Sequence, residues 1–317
     1  MLVLGALVLT GGVAIVAAAQ QRPQVIDIAK VADNYYVLTS STPGSPDSFS
    51  GGNVGVFLTA SGVVLVDTKL AAWGDTFLSR VRSISDKPVT TIINTHTHGD
   101  HTGNNDRFGT NVEFVVQENT RTNMAKMDAF KGDKAQFLPK RTFRDRLTLG
   151  RGAEQIDLYY FGRGHTDGDT FVVFPSLRLV QTGDLFAWKD GPRIDRANGG
   201  SGVQYPQTIA KALAALTGID TVVPGHSPMM KLADLQEYQR YTADLLKTVQ
   251  DAKAAGRSVD EAAAAAIAMT QKYQGYASER VKAPEPFANP VPTRESLIHH
   301  CFISTLGRRP RRCPGDC

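Results

Sequence analysis

Thr95-His96-Thr97-His98-Gly99-Asp100-His101-Thr102 is the stretch on which the reading of this chain turns. From His96 to His101 it packs three imidazoles and a carboxylate, the side chains that bind a borderline transition metal such as zinc. The preceding Pro88-Val-Thr-Thr-Ile-Ile-Asn94 is β-branched and predicts a buried strand. While the chain stays extended, residues two apart face the same side, so His96 and His98 can grip one ion together. Gly99 then permits a sharp bend that turns Asp100 and His101 toward a second ion. With 7 His in 317 residues, three at these offsets arise by chance at about one in 100,000 start positions. A metal site is therefore expected, not a polar loop rich in histidine.

The remaining histidines are His165, His226, His299 and His300. His165 follows the strand-like Gln155-Ile-Asp-Leu-Tyr-Tyr-Phe161, and His226 follows Ile219-Asp-Thr-Val-Val223. Asp184 follows Leu177-Arg-Leu-Val180 in the same manner. In each case an apolar strand leads to a glycine (Gly164, Gly183, Gly225) and then to a polar residue, where close backbone approach favours glycine. Such a residue alone is usually a turn residue, but three repeats beside the opening cluster point to ligands. Asp67 ends Gly62-Val-Val-Leu-Val-Asp67 at the same kind of strand end and is expected to support the site from behind the ligands.

Taken together, His-x-His-x-Asp-His followed at a distance by His, Asp and His resembles the metallo-β-lactamase superfamily, over roughly Val25 to Leu232. The resemblance implies an α/β fold, a four-layer αβ/βα sandwich with the metals at one edge of two facing sheets. It assigns His96, His98 and His165 to a first ion and Asp100, His101 and His226 to a second, with Asp184 bridging them. The implied cofactor is two Zn2+, with Fe or Mn as alternatives in the cell. Two such ions with a bridging solvent generate hydroxide at neutral pH and polarise a carbonyl oxygen. Asp100 is the expected catalytic residue, orienting the nucleophile and carrying a proton to the leaving group.

Hydrophobic content of 42% and charged content of 21% fit a globular hydrolase domain, placed at residues 20–295. The net charge of +4 comes largely from Gly307-Arg-Arg-Pro-Arg-Arg-Cys-Pro-Gly-Asp-Cys317, so no nucleic-acid partner follows from it. Residues 1–19 are uncharged and apolar and end in Ala17-Ala-Ala19, the pattern of a secretory signal. Export to a periplasm or the exterior is expected; contact with a membrane is expected only if that segment stays uncleaved. Cys301, Cys313 and Cys317 all lie near the C-terminus, so no disulfide scaffold and no cysteine ligand is expected. The tail 296–317 has no apolar periodicity and is expected to be dispensable. Truncation after Arg294 is expected to preserve metal content and activity, and loss of both would show that the tail docks against the site. Oligomeric state is not legible.

Asn34–Thr39 and Asn53–Thr59 predict a hairpin whose Gly/Pro/Ser-rich connection is either a plain linker or a flap over the metal edge with Phe49 as its apolar tip. Helices are predicted over Ala72–Ser85, Glu118–Phe130, Tyr205–Leu216, Leu232–Ala255 and Val259–Lys272. The expected substrate is a small molecule: an ester, lactone or related amide. A β-lactamase is the competing enzyme, although β-lactamases carry Cys or Ser where this chain has Asp184. Those with Cys also carry a Lys three residues on, where this chain has Ala187. Lys189, Arg193 or Arg196 would serve the carboxylate of such a drug if their loop folds inward. A metal-bound binding protein without turnover is the alternative of a different class.

Overall fold

The computed structural model describes residues 25–40 and 48–276. The expected signal at 1–19, the middle of the proposed flap at 41–47 and the tail at 296–317 lie outside the described residues. Among the described residues no helix is long and apolar enough to cross a membrane.

The first sheet runs in chain order: β1 (Ile26–Ala32), β2 (Tyr35–Ser40), β3 (Val54–Leu58), β4 (Val63–Val66), β5 (Val89–Ile93), β6 (Glu113–Gln117) and β7 (Arg141–Phe143). The second holds β8 (Arg146–Leu149), β9 (Ile156–Tyr159), β10 (Phe171–Phe174), β11 (Leu179–Gly183), β12 (Thr221–Pro224) and β13 (Met230–Lys231), in the order 13-12-11-10-9-8. The helices are α1 (Gly74–Ile84), α2 (Gly99–Thr102), α3 (Glu118–Met124), α4 (Tyr205–Ala215), α5 (Leu232–Ala254) and α6 (Val259–Thr270).

Alternation along the strands builds three apolar layers. Val64 and Val66 of β4 face the space between the sheets, with Ile93, Val115, Leu158, Val172 and Val223. Val63 and Leu65 face the other way, against Phe77 and Val81 of α1. Phe171, Val173, Val180 and Val222 cover the outer face of the second sheet and pack on α4, α5 and α6. Strands buried on both faces read as continuous apolar runs, hence Val63-Val-Leu-Val66. The expected αβ/βα sandwich is the observed architecture.

Polar groups also tie the sheets together. Tyr35 Oη donates to Gln181 Oε1 at 3.0 Å, and Gln181 Nε2 donates to the Asn53 carbonyl at 3.0 Å. Asn53 Nδ2 reaches on to the carbonyls of Pro224 and Ser227, at 2.9 and 2.7 Å. These buried bonds set one sheet against the other beside the end of β12. Strands β4, β5 and β6 run parallel, as do β11 and β12. Loops leaving the carboxyl ends of parallel strands are where α/β folds place their sites, and Asp67, the His96–His101 stretch, Asp184 and His226 all sit there.

Two expectations are corrected. The helix predicted over Glu118–Phe130 ends at Met124, and a 3-10 turn follows at Asp128–Phe130. The break lets Phe130 join Met124 and Val116 in one buried cluster, whereas an unbroken helix would turn Phe130 to another face. Gly99 is not needed for the bend after His98: it is the first residue of α2, and a Cβ there would meet nothing within 4 Å.

Candidate metal centre

All seven expected ligands converge at one edge of the sandwich, in two groups. His96, His98, His165 and Asp184 form one, and Asp100, His101 and His226 the other, with the ligand atoms of each group within 4.8 Å of one another. His98 Nδ1 lies 3.0 Å from His165 Nε2, which lies 3.7 Å from Asp184 Oδ2. His226 Nε2 lies 3.3 Å from both His101 Nε2 and Asp100 Oδ2. Asp184 Oδ1 is 3.3 Å from His101 Nε2 and 3.2 Å from His226 Nε2. One carboxylate thus faces both groups, the position expected of a bridge.

The donor set fits cations. His96 Nε2 and Asp184 Oδ1 are buried without a hydrogen-bond partner, a costly state for acceptors unless something positive lies between them. Close packing demands small residues here: a Cβ on Gly225 would lie 2.0 Å from Asp184 Oδ1, and one on Gly52 within 2.1 Å of the His101 ring.

A ring of outer groups chooses which nitrogen each imidazole presents. Asp67 accepts from His101 Nδ1 at 2.8 Å, leaving Nε2 for the centre. Thr95 Oγ1 donates to Asp67 Oδ2 at 2.8 Å, so its contact with His96 Nδ1 at 3.0 Å is one in which the ring donates. That aims the lone pair of His96 Nε2 inward. His165 Nδ1 donates to the Arg193 carbonyl at 2.9 Å. Asp195 holds His98 Nε2 at 2.7 Å. Tyr205 Oη donates to the carbonyls of both Asp184 and Leu185 at 3.0 Å, fixing the backbone that carries the bridge. Asp67 thus stands on the outer side of the His101 ring; Asp195, Arg193 and Tyr205 carried no sequence signal for their contacts.

The cluster is charged unevenly. Burial opposes charge on His101, but Asp100, Asp184 and Asp67 outweigh it and hold its pKa well above the ordinary imidazole value. Burial and the neighbouring His101 push His96 well below it, and burial with His98 brings His165 down to about 4. Burial is likewise overcome at Asp184, where His226 and His101 hold the carboxyl well below the usual range. Asp100, Asp184 and Asp67 thus favour positive charge at His101.

Lys69 stands behind this shell and was not expected. Its side chain is fully buried, its backbone is left-handed at φ 63°, and its ammonium lies 3.4 Å from the Gly51 carbonyl. Burial pulls its pKa down to about 7 from 10.5, against the opposing pull of Asp100, Asp27 and Asp67. Folding thus favours loss of the proton: below about pH 7 the folded state carries the full cost of a buried ammonium. That cost fades as pH rises from about 7 to 10.5, so stability through this group increases over the same range. Lys69→Met is expected to raise the melting temperature of chelator-treated protein at pH 6 by on the order of 5 °C. The advantage should shrink toward pH 10. A variant that melts lower than the parent at pH 6 would make the ammonium net stabilising.

Of the expected substrate contacts, Phe49 lies at the centre, its ring 5.4 Å from that of His226. Lys189 is drawn away: its ammonium sits 2.7 Å from Asp234 and 2.9 Å from Glu237, both on α5. Arg193 stays close, its guanidinium 4.3 Å over the ring of Trp188, which in turn lies 5.2 Å from His226. Trp188 was missed, since a single indole in a loop carries no periodic signal.

Residues 48–226 match the family model described as the metallo-beta-lactamase superfamily. A metallo-beta-lactamase type 2 of Elizabethkingia meningoseptica is 24% identical over 250 residues, spanning 77% of this chain and 94% of that protein. Metallo-beta-lactamase IND-1 of Chryseobacterium indologenes is 23% identical, spanning 66% and 85%. Among solved structures, DIM-1 metallo-beta-lactamase superposes with a TM-score of 0.56 at 21% identity, covering 70% of this chain and 98% of that one. A metallo-beta-lactamase from Pontibacter korlensis gives 0.57 at 22%, covering 69% and 99%. These superpositions concern the fold alone.

Proposed function

Since the chain belongs to the metallo-β-lactamase superfamily, we propose that it is an exported hydrolase of small esters, lactones or related amides that works with two zinc ions. The observation that carries the reading is Asp184, whose carboxylate faces both ligand groups at once. Cations held there would supply water activation at neutral pH and polarisation of the substrate's carbonyl oxygen. The side chains do the rest. His96, His98 and His165 each turn one ring nitrogen inward, their tautomers set from outside the cluster. Asp100 is 22% exposed where Asp184 is only 4% exposed, so it is the carboxylate that can meet both solvent and substrate. It orients the attacking water, takes its proton and delivers it to the leaving oxygen or nitrogen.

The names of the relatives favour a second reading, hydrolysis of β-lactams. Against it stand the local residues. Ala187 is buried and apolar, and Lys189 is engaged by Asp234 and Glu237. An anionic drug would lack one charge-assisted hydrogen bond, worth roughly ten- to a hundredfold in recognition. Neutral lactones and esters are accordingly expected to exceed penicillins in kcat/KM by about that factor. A panel of lactones, esters, a penicillin and nitrocefin with zinc-, iron- and manganese-loaded protein tests this. Efficient penicillin turnover that collapses in Arg193→Ala or Lys189→Ala would replace the first reading with the second. No turnover of any panel member by metal-replete protein would leave a binding protein.

A further inference from the structure

We infer that Lys69 is a positioning residue for Asp100: its amino group holds the Gly51 carbonyl and so locks the segment 50–53 against the loop that presents the Asp100 carboxylate. For its effect on turnover the inference rests on the hydrolase reading; for the clamp itself it does not. The Lys69 side chain is fully buried, and among the described residues the Gly51 carbonyl oxygen, at 3.4 Å, is the acceptor it meets. Satisfying that carbonyl does not by itself explain a buried lysine. Ser40 Oγ already donates to the same oxygen at 3.1 Å and accepts from the Ser50 amide at 3.2 Å. An apolar side chain would avoid the cost of burying the amino group. The backbone carries a cost too. Lys69, at φ 63°, and Asp67, at φ 69°, both adopt the left-handed conformation that non-glycine residues seldom take. Local penalties of this kind gather where function sets the geometry.

The main chain around Lys69 shows what is being held. The Thr68 amide donates to the His101 carbonyl at 2.8 Å, and the Gly103 amide to the Lys69 carbonyl at 3.1 Å. The Leu70 amide donates to the Ser50 carbonyl at 3.0 Å. Asn104 Nδ2 donates to the carbonyls of Thr68 and Leu70, at 2.6 and 2.9 Å. Residues 68–70 are thus wedged between the ligand loop and the segment that begins at Ser50. The Gly52 amide closes the triangle, donating to the Asp100 carbonyl at 3.0 Å. There is no slack in it. Gly51 is left-handed at φ 98°, and a Cβ there would lie 2.5 Å from the Asp100 carbonyl oxygen and 2.8 Å from the Leu70 nitrogen. Any shift of Gly51 therefore passes to the Asp100 backbone.

Asp100 is the residue that needs such support. Its carboxylate is 22% exposed, so packing alone constrains its angle less than that of Asp184. Electrostatics link the two groups as well: of the carboxylates around Lys69, Asp100 pulls hardest on its charge, ahead of Asp27 and Asp67. Misplacing a reacting group by about 1 Å costs on the order of 100-fold in rate, so a tie that fixes Asp100 offsets the stability its buried amino group gives up.

The test uses Lys69→Met in the full-length protein, with Lys69→Gln, too short to reach Gly51, as the second variant should the Met chain fail to pack. Backbone amide exchange of chelator-treated protein reads the clamp without metal. The Gly52 amide is expected to exchange roughly tenfold faster in the variant, while the amides of Val64 and Val172 in the sheet cores keep their parental rates. With zinc-loaded protein and the best-hydrolysed ester or lactone of the panel, kcat is expected to fall roughly tenfold while KM stays within about twofold. In the Asp100→Asn background the same change is expected to cost less than about twofold, because its effect runs through Asp100. An unchanged Gly52 rate would overturn the inference. So would a parental kcat in Lys69→Met, or losses from the two substitutions that simply multiply. Faster Gly52 exchange in a protein that hydrolyses no panel member would keep the clamp and remove the hydrolase reading; unchanged exchange in an active enzyme would do the reverse.

Discussion

Replacing Asp184 with alanine is expected to lower bound zinc from about two ions per chain toward one. The carboxylate lies within reach of both ligand groups. The variant should nonetheless fold, because the local backbone is held by Tyr205 Oη on the Asp184 and Leu185 carbonyls, not by the side chain. Loss of the carboxylate also removes one of the charges that raise the His101 pKa. The variant should therefore release less of a proton on metal uptake as well as bind less metal. Elemental analysis after gel filtration in metal-free buffer reads the first effect. Two ions retained tightly would remove Asp184 from the bridging position.

Asp100→Asn should lose most turnover, roughly 100-fold or more, while keeping its fold. Its carbonyl, not its carboxylate, receives the Gly52 amide at 3.0 Å, so the tie between this loop and the Phe49 segment survives the change. Asn retains one oxygen near His226 Nε2 but cannot accept and return a proton at physiological pH. Unchanged kcat at full metal loading would reduce Asp100 to a structural role, and a matched loss of metal and rate would make it a ligand only.

The ligand set was legible because each member follows a local pattern, an apolar strand that stops and is followed by a polar residue. Strand burial and hydrophobic periodicity are properties of neighbouring residues, so β4, β5, β9 and β12 emerge where the sequence predicts them, while β11 begins only at Leu179, after a 3-10 turn at Pro175–Leu177. Helix α3 was overextended because its end depends on where Phe130 finds a partner beneath β6. The fate of Lys189 was equally hidden. Asp234 and Glu237 lie on a helix more than forty residues later, and only the docking of α5 brings them to the loop.

What the sequence determined alone is the fold class and the set of seven candidate ligands, since residue type and the period of burial are written locally. Tertiary structure decided how those ligands are used. Asp195 and His98 are 97 residues apart, and Asp67 and His101 are 34 apart. Those bonds select the nitrogen that each of these two rings turns inward, and they exist only once the strands have packed. The same holds for Lys69, buried behind Asp100, and for Trp188, pinned by Arg193 against His226. Orientation and electrostatic environment depend on atoms that converge from separate elements, and no local pattern of residues encodes that convergence.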